Sequence, residues 1–329
     1  MSYTIFITAR TLSPEGLAIL DREGCRTLFL EGDGSPAEVE RILRSEKVDG
    51  VISRTVALTR EAIASCDTLK VVSKHGIGVN NIDVASCTAR QIPVFSTPGA
   101  NAQSVAEMAV GLMLSAARSI PHMDSEIKAG QWPRRQNGLE LKGRTVGLIG
   151  YGQIGRIVAR ICQAIGMRVC AYDPYAKAAD MQDGVELTAS LDDLLARAQI
   201  LSLHVPLTQA TQGLIGKDQL ALLPEQAIVV NTARGEVVDE IALIEALRSK
   251  KLFAAGLDTT AVEPTPADSP LRQMSNVVLT PHVGGSTPAA LAAMAVGAVN
   301  NALGYLKRNE ITAASVVNYS SLNLQHKGT

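Results

Sequence analysis

Three polar side chains in the second half of the chain each follow a short apolar run. Arg234 stands in "AIVVNTARGEVVDE", Glu263 in "FAAGLDTTAVEP" and His282 in "VVLTPHVGGS". Their types suit one chemistry. An arginine can grip a carboxylate through two parallel charged contacts and polarise the carbonyl beside it. A histidine can give a proton to a developing alkoxide, or take one in the reverse direction. A carboxylate next to that histidine would favour the imidazolium and hold the ring in place. Together they could support hydride transfer at a carbon that adjoins a carboxylate. Taken singly, each is an ordinary loop residue. They need a hydride carrier to become a site.

The carrier's signature lies upstream, in "TVGLIGYGQIGRIVARICQAIGMRVCAYDP". A β-branched run, 145–149, ends in Gly150, Gly152 and Gly155. A helix pattern begins at once, and a second strand pattern, 168–172, ends in Asp173. Gly150 permits the tight turn, Gly152 lets a pyrophosphate approach the backbone, and Gly155 lets helix and strand pack closely. The helix N-terminus offers unpaired N–H groups and partial positive charge to phosphate. Asp173 sits about 20 residues on, where a carboxylate accepts hydrogen bonds from a ribose. Its charge repels a 2′-phosphate, and no arginine follows it directly, so the expected cofactor is NAD rather than NADP.

The rest of the chain must position these groups. Apolar strand-like runs alternate with helical ones from end to end: 4–8, then a helix over 14–23, "TLFL", a helix over 36–44, "GVIS", a helix over 59–66, "LKVVS". This rhythm predicts an α/β fold with a parallel sheet covered on both faces. In such a sheet ligands bind beyond the carboxyl ends of the strands. Arg234, Asp258, Glu263 and His282 would all lie there. The rhythm breaks at "STPGANAQS" (96–104), ahead of a long helix over 104–118. Ser104 and Glu107 have capping-box spacing, with Asn101 as a rival cap. A second βα series runs from 145 to 280. The last helix, 288–306, could return to the first domain, and the tail from Asn318 is expected to fray.

The chain has 329 residues, enough for two domains, and its 46 % hydrophobic content is ample for their cores. A formal net charge of −1 gives no reason to expect nucleic acid or an anionic membrane as partner. The 5 cysteines show no CxxC and no metal-type pairing with histidine, so reduced thiols in the cytoplasm are expected, and no metal. No signal peptide is evident at the start. The apolar helical run 105–117 is too short to span a bilayer.

The chain resembles the D-isomer-specific 2-hydroxy-acid dehydrogenases over nearly its whole length. The resemblance rests on GYGQIG (150–155), "HVPLTQATQGLIG" (204–216), "VNTARGEVVDE" (230–240), "LDTTAVEP" (257–264) and "LTPHVGGST" (279–287). It implies two Rossmann-like, doubly wound parallel-sheet domains with an active cleft between them. Residues 101–286 would bind NAD, and residues 1–100 with 287–329 would form a flavodoxin-like substrate domain. It assigns Arg234 to the substrate carboxylate, Glu263 to the histidine and His282 to proton transfer. Gln153, Ile154, Pro206, Thr232, Asp258 and Gly284 would lie along the cofactor. A homodimer through the cofactor domain is implied as well.

The resemblance implies a small 2-hydroxy or 2-keto acid as substrate. In "SKHGIGVNNID" (73–83), Gly76, Ile77 and Gly78 could offer backbone N–H groups to its carboxylate. Arg54, Lys74 and Arg134 are more cations than a small neutral side group requires. They suggest a second anionic group, as in 3-phosphoglycerate, although Asn80 stands where that sub-family usually has aspartate. A hydroxypyruvate or glyoxylate reductase is the alternative. A non-catalytic NAD-sensing protein of corepressor type is the alternative of another class. His204 lines the cofactor pocket or merely packs at a strand end. His75 lies in the substrate loop, and His122 and His326 are expected at the surface.

Overall fold

A computed structural model describes residues 2–134 and 138–323, so His326 lies outside the described residues. The chain divides into two compact units, Met1–Asn101 with Thr287–Thr329, and Ala102–Ser286. The first unit begins β1 (Thr4–Ile7), α1 (Pro14–Arg22), β2 (Arg26–Phe29), α2 (Pro36–Ser45), β3 (Gly50–Ser53), α3 (Arg60–Ala64), β4 (Val71–Lys74), α4 (Val84–Ala89) and β5 (Val94–Phe95). Its sheet has the order β2-β1-β3-β4-β5, every pair parallel. The helices start where short polar side chains satisfy open N–H groups: Ser35, Thr59 and Asp83 each accept from the backbone three residues on. Strands β3 and β4 are buried along their whole length. That is why they read as unbroken apolar runs with only Ser53, Ser73 and Lys74 as polar members.

The second unit begins with two helices, α5 (Ala102–Arg118) and α6 (Ile120–Lys128). Helix α5 starts two residues ahead of Ser104, and Glu107 accepts from the Gln103 side chain at 2.7 Å rather than closing a capping box. The sequence reading ends at Arg118 and misses α6. Ser119, at φ 50°, turns the chain between the helices, and Pro121 then sits in the first turn of α6, where its missing N–H costs nothing. The βα series follows: β6 (Thr145–Ile149), α7 (Gln153–Ala164), β7 (Arg168–Tyr172), β8 (Val185–Leu187), α8 (Leu191–Arg197), β9 (Ile200–Leu203), α9 (Lys217–Leu222), β10 (Ala227–Asn231), α10 (Glu240–Arg248), β11 (Leu252–Leu257) and β12 (Val277–Leu279). The seven strands order as β12-β11-β10-β9-β6-β7-β8, all parallel. Strand order reverses between β6 and β9, which makes their carboxyl ends the crevice of this sheet.

The last helix, α11 (Pro288–Arg308), belongs to the first unit. By length and composition it is apolar enough to cross a bilayer. Its small residues have a local use, however. Ala295, Ala298, Val299 and Leu303 pack on Ile5, Ile7 and Ile52 of the sheet. The tail does not fray at Asn318, contrary to expectation. Asn318 is 6 % exposed, and its Oδ1 accepts from Val94 N at 3.0 Å. Its Nδ2 donates to Thr88 Oγ1 and to the Ile92 carbonyl, each at 3.0 Å. With the Phe95–Val316 bridge, this segment covers the edge that β5 would otherwise expose.

Candidate active site

At the β6–α7 turn the three glycines play two different parts. A Cβ on Gly150 would lie 2.5 Å from the carbonyl oxygen of His204, and the residue's φ is +93°. A Cβ on Gly155 would lie 2.3 Å from the Gly150 oxygen. Both therefore let backbones touch. Gly152 differs: a Cβ there would meet nothing within 4 Å, and its φ of −78° suits any residue. The space beside it is open, and it faces the first turn of α7. The N–H groups of Gln153 and Ile154 open that helix without a side-chain cap. Open space, helix N-terminus and unspent donors are what a pyrophosphate needs.

Asp173 follows β7 and accepts from Tyr151 N and Tyr175 N, both at 2.9 Å. These bonds fix the carboxylate beside the turn and leave lone pairs for ribose hydroxyls. Further along the carboxyl ends, Thr232 Oγ1, Thr259 Oγ1 and His204 Nδ1 are buried with no protein partner. Burying a polar atom unpaired is costly, so three on adjacent strands mark a surface shaped for a polar ligand. Burial also pulls the His204 pKa down to about 4. The ring is thus neutral and exchanges one hydrogen bond with Ser202 Oγ at 2.9 Å. Pro206 is exposed, and its carbonyl accepts from Thr211 Oγ1. These features fit a dinucleotide.

The three candidates for chemistry lie in the loops that follow β10, β11 and β12. Arg234 follows β10 in a turn that Asn231 holds. The Asn231 side chain, 1 % exposed, accepts from Ala233 N at 2.9 Å and donates to the Arg234 carbonyl at 2.8 Å. The motifs in the sequence give Asn231 no role of its own. The signal was present, since an asparagine at a strand end commonly bonds the backbone two residues on. Gly235 seats this turn: a Cβ there would lie 2.0 Å from Thr260 C in the loop after β11. That contact brings the β10 and β11 loops together. Arg234 is half-buried and makes one bond, to the Ala233 carbonyl, which leaves most of its guanidinium donors for a ligand.

Glu263 Oε1 accepts from Thr260 N at 3.3 Å, while Oε2 faces His282 Nδ1 at 2.8 Å. His282 itself has φ +55°, a conformation that a non-glycine residue adopts only when its surroundings impose it. Asp258 imposes it. Asp258 is 2 % exposed; Oδ1 accepts from Thr280 Oγ1 at 2.6 Å and Val283 N at 3.0 Å, and Oδ2 from Gly284 N at 2.8 Å. Asp258 and Gly284, expected along the cofactor, are thus bonded to each other and frame the His282 turn. With Nδ1 tied to Glu263, Nε2 is the ring atom left to serve a substrate. Among the described residues no cluster of three or more His, Cys, Asp or Glu could hold a metal ion.

In the first unit the substrate loop follows β4, and two expectations change there. Gly76 N donates to Thr97 Oγ1 at 3.1 Å, so Ile77 and Gly78 supply the open backbone donors. Lys74 is 8 % exposed, and its ammonium donates to the Arg54 carbonyl and, at 2.6 Å, to Asn81 Oδ1. It holds the loop rather than reaching for an anion. His75 is 7 % exposed and donates through Nε2 to the Leu291 carbonyl at 3.2 Å. Burial first, then the nearby Arg54 charge, drive its pKa down to about 4, so it is neutral. Arg54 is half-buried; burial pulls its pKa down, and among the described residues no carboxylate pairs with it. Arg134 is exposed. His122 is partly buried and lies 3.4 Å from Glu126 Oε1 on its own helix.

A family model described as the NAD-binding domain of D-isomer specific 2-hydroxyacid dehydrogenases matches residues 110–284. A D-3-phosphoglycerate dehydrogenase of Archaeoglobus fulgidus is 39 % identical over 317 residues, covering 94 % of this chain and 59 % of its own. The chain spans about half the length of other phosphoglycerate dehydrogenases that it matches. A hydroxypyruvate reductase of Thermotoga maritima is 41 % identical over 281 residues, covering 82 % of this chain and 90 % of its own. Among solved structures, a glyoxylate reductase from Paecilomyes thermophila superposes with a TM-score of 0.87 at 27 % identity, covering 97 % of this chain and 99 % of its own.

Proposed function

The chain belongs to the D-isomer specific 2-hydroxyacid dehydrogenase family, and on that premise we propose that it interconverts a D-2-hydroxy acid and its 2-keto acid with NAD. The observation that carries this reading is the pairing of His282 Nδ1 with Glu263 Oε2 at 2.8 Å in a turn held at positive φ. In the direction of reduction, Arg234 holds the substrate carboxylate and polarises the adjacent carbonyl. The Gln153 and Ile154 N–H groups and Asp173 would hold NADH at the β6–α7 turn, where it would supply the hydride. His282, as imidazolium, gives its Nε2 proton to the alkoxide oxygen and becomes neutral. Glu263 keeps the ring oriented, its Oε2 facing Nδ1 at 2.8 Å. The His282 side chain is 42 % exposed, so solvent can restore the proton.

The names borne by the relatives mark the choice of acid. A half-buried Arg54 without a carboxylate partner among the described residues favours a substrate with a second anionic group, such as a phosphorylated hydroxy acid. Hydroxypyruvate or glyoxylate is the second reading, favoured by the near-complete match to a hydroxypyruvate reductase. The test is loss of NADH, and separately NADPH, absorbance with hydroxypyruvate, glyoxylate, pyruvate, 2-oxoglutarate and phosphohydroxypyruvate. Preference for the phosphorylated acid with NADH is expected. Equal rates with phosphorylated and plain acids would end the second-anion reading, and no turnover of any acid would end the enzymatic one.

We also propose a homodimer through the second unit. Ile120, Met123 and Ile127 share one face of α6 and are 49 %, 37 % and 47 % exposed, with Trp132 at 76 % beyond them. A stripe of this kind is a candidate for burial against a second copy. Light scattering should give twice the chain mass, and Ile120→Glu with Ile127→Glu should give one. A monomeric wild type would remove the proposal.

A further inference from the structure

In the loop from Ser53 to Leu58 the Arg54 guanidinium has no hydrogen-bond or ion-pair partner among the described residues, while the backbone of Arg54 is held at both its N–H and its carbonyl. Arg54 N donates to Thr8 Oγ1 at 2.9 Å, a hydroxyl with 0 % exposure. The Arg54 carbonyl accepts from the Lys74 ammonium and from Asn81 Nδ2, the latter at 3.2 Å. Asn81 Nδ2 also reaches Ser53 Oγ at 3.1 Å and the Val56 carbonyl at 2.9 Å. Leu58 N donates to the Asn81 carbonyl at 2.7 Å, and Asp83 N returns a bond to Leu58 at 3.0 Å. Lys74 Nζ bonds Asn81 Oδ1 at 2.6 Å, so the two residues act as one clamp across the ends of β3 and β4.

We propose that Lys74 and Asn81 are positioning residues for Arg54, and that discrimination of the substrate's second anionic group depends on them although neither touches substrate. The inference rests on the proposed role of Arg54. An arginine has a long side chain and loses rotamer freedom on binding. Fixing its backbone on both sides limits where the guanidinium can reach, so less freedom is lost when an anion arrives. A buried ammonium that reached outward to the anion would be a competing design. Here it is turned inward to a carbonyl and an amide oxygen, both neutral acceptors. Two consequences separate the designs. If Lys74 acts through Arg54, removing it does nothing more once Arg54 is gone. If it binds the anion itself, the two losses add.

The experiment is a double-mutant cycle on the full chain. Arg54→Ala, Lys74→Met and the double variant are compared for kcat and KM on phosphohydroxypyruvate and hydroxypyruvate, with NADH affinity and Tm as controls. Each single variant is expected to lower the ratio of kcat/KM between the two acids by about tenfold, mostly through KM. The double variant should equal Arg54→Ala alone. Lys74→Arg, which keeps the donors, should recover most of the ratio, and Asn81→Leu should behave as Lys74→Met does. Additive losses would overturn the positioning role and make Lys74 an anion ligand. Equal losses on both acids together with a lower Tm would reduce the clamp to a structural brace. Arg54→Ala without effect on the ratio would overturn the second-anion reading itself, and the inference with it.

Discussion

His282→Ala should lower turnover of the 2-keto acid by a factor of roughly 10²–10⁴ while NADH still binds. The size of the loss follows from what Nε2 does. Reduction of a carbonyl leaves charge on oxygen, and in the proposed mechanism His282 neutralises it. The survival of NADH binding follows from how the turn is built. Asp258 bonds Thr280 Oγ1, Val283 N and Gly284 N, and none of these bonds uses the imidazole. The turn therefore outlives the ring. Its φ of +55° carries some strain for alanine. His282→Asn is the companion variant, because asparagine tolerates this conformation and has no proton to give near neutrality. Turnover by His282→Asn within a few-fold of wild type, measured in single-turnover mixing with saturating NADH, would remove His282 from proton transfer.

Alanine at the three glycines of the β6–α7 turn should separate stability from cofactor binding. Gly155→Ala places a methyl 2.3 Å from the Gly150 oxygen, and neither backbone can yield without parting strand from helix. A cost of about 1–3 kcal/mol or more is expected, seen as a lower Tm. Gly150→Ala meets both a backbone atom at 2.5 Å and a φ of +93°, so it should destabilise at least as much. Gly152→Ala meets no protein atom within 4 Å and should melt as wild type does. Its methyl fills the space assigned to pyrophosphate, so NADH affinity should fall by roughly tenfold, about 1.4 kcal/mol. Calorimetry for Tm and fluorescence titration for NADH read the two effects separately. Wild-type NADH affinity in Gly152→Ala would place the phosphates elsewhere. An unshifted Tm in Gly155→Ala would contradict the close approach of helix and strand.

Some of this protein was legible in its sequence because the physics is local. The cradle from Gly150 to Asp173 is one continuous βαβ stretch, and every part of its job is done by residues near each other in the chain. Buried strands such as β3, β4 and β10 announce themselves as apolar runs, since a parallel sheet covered on both faces admits little else. Arg234, Glu263 and His282 could be placed on one side of the sheet from strand direction alone. The resemblance to a known family added their roles.

Other parts were decided only by the tertiary structure. Lys74 looked like a cation for an anion, and Asp258 looked like a cofactor ligand. Each spends its charge on backbone or side-chain groups 7 to 26 residues away. Asn318 looked like the start of a loose tail, yet it satisfies the backbone of β5 some 224 residues earlier. Gly76 looked like a donor to substrate, and Thr97 takes its N–H. The reason is common to all four. A sequence states which donors, acceptors and charges exist, and local spacing states which elements they ride on. Which acceptor a buried donor meets depends on the loops that folding brings beside it. Because a buried polar group left unpaired costs more than most single contacts return, folding commits these side chains to one another, whereas most of the Arg234 and Arg54 guanidinium donors and His282 Nε2 stay uncommitted.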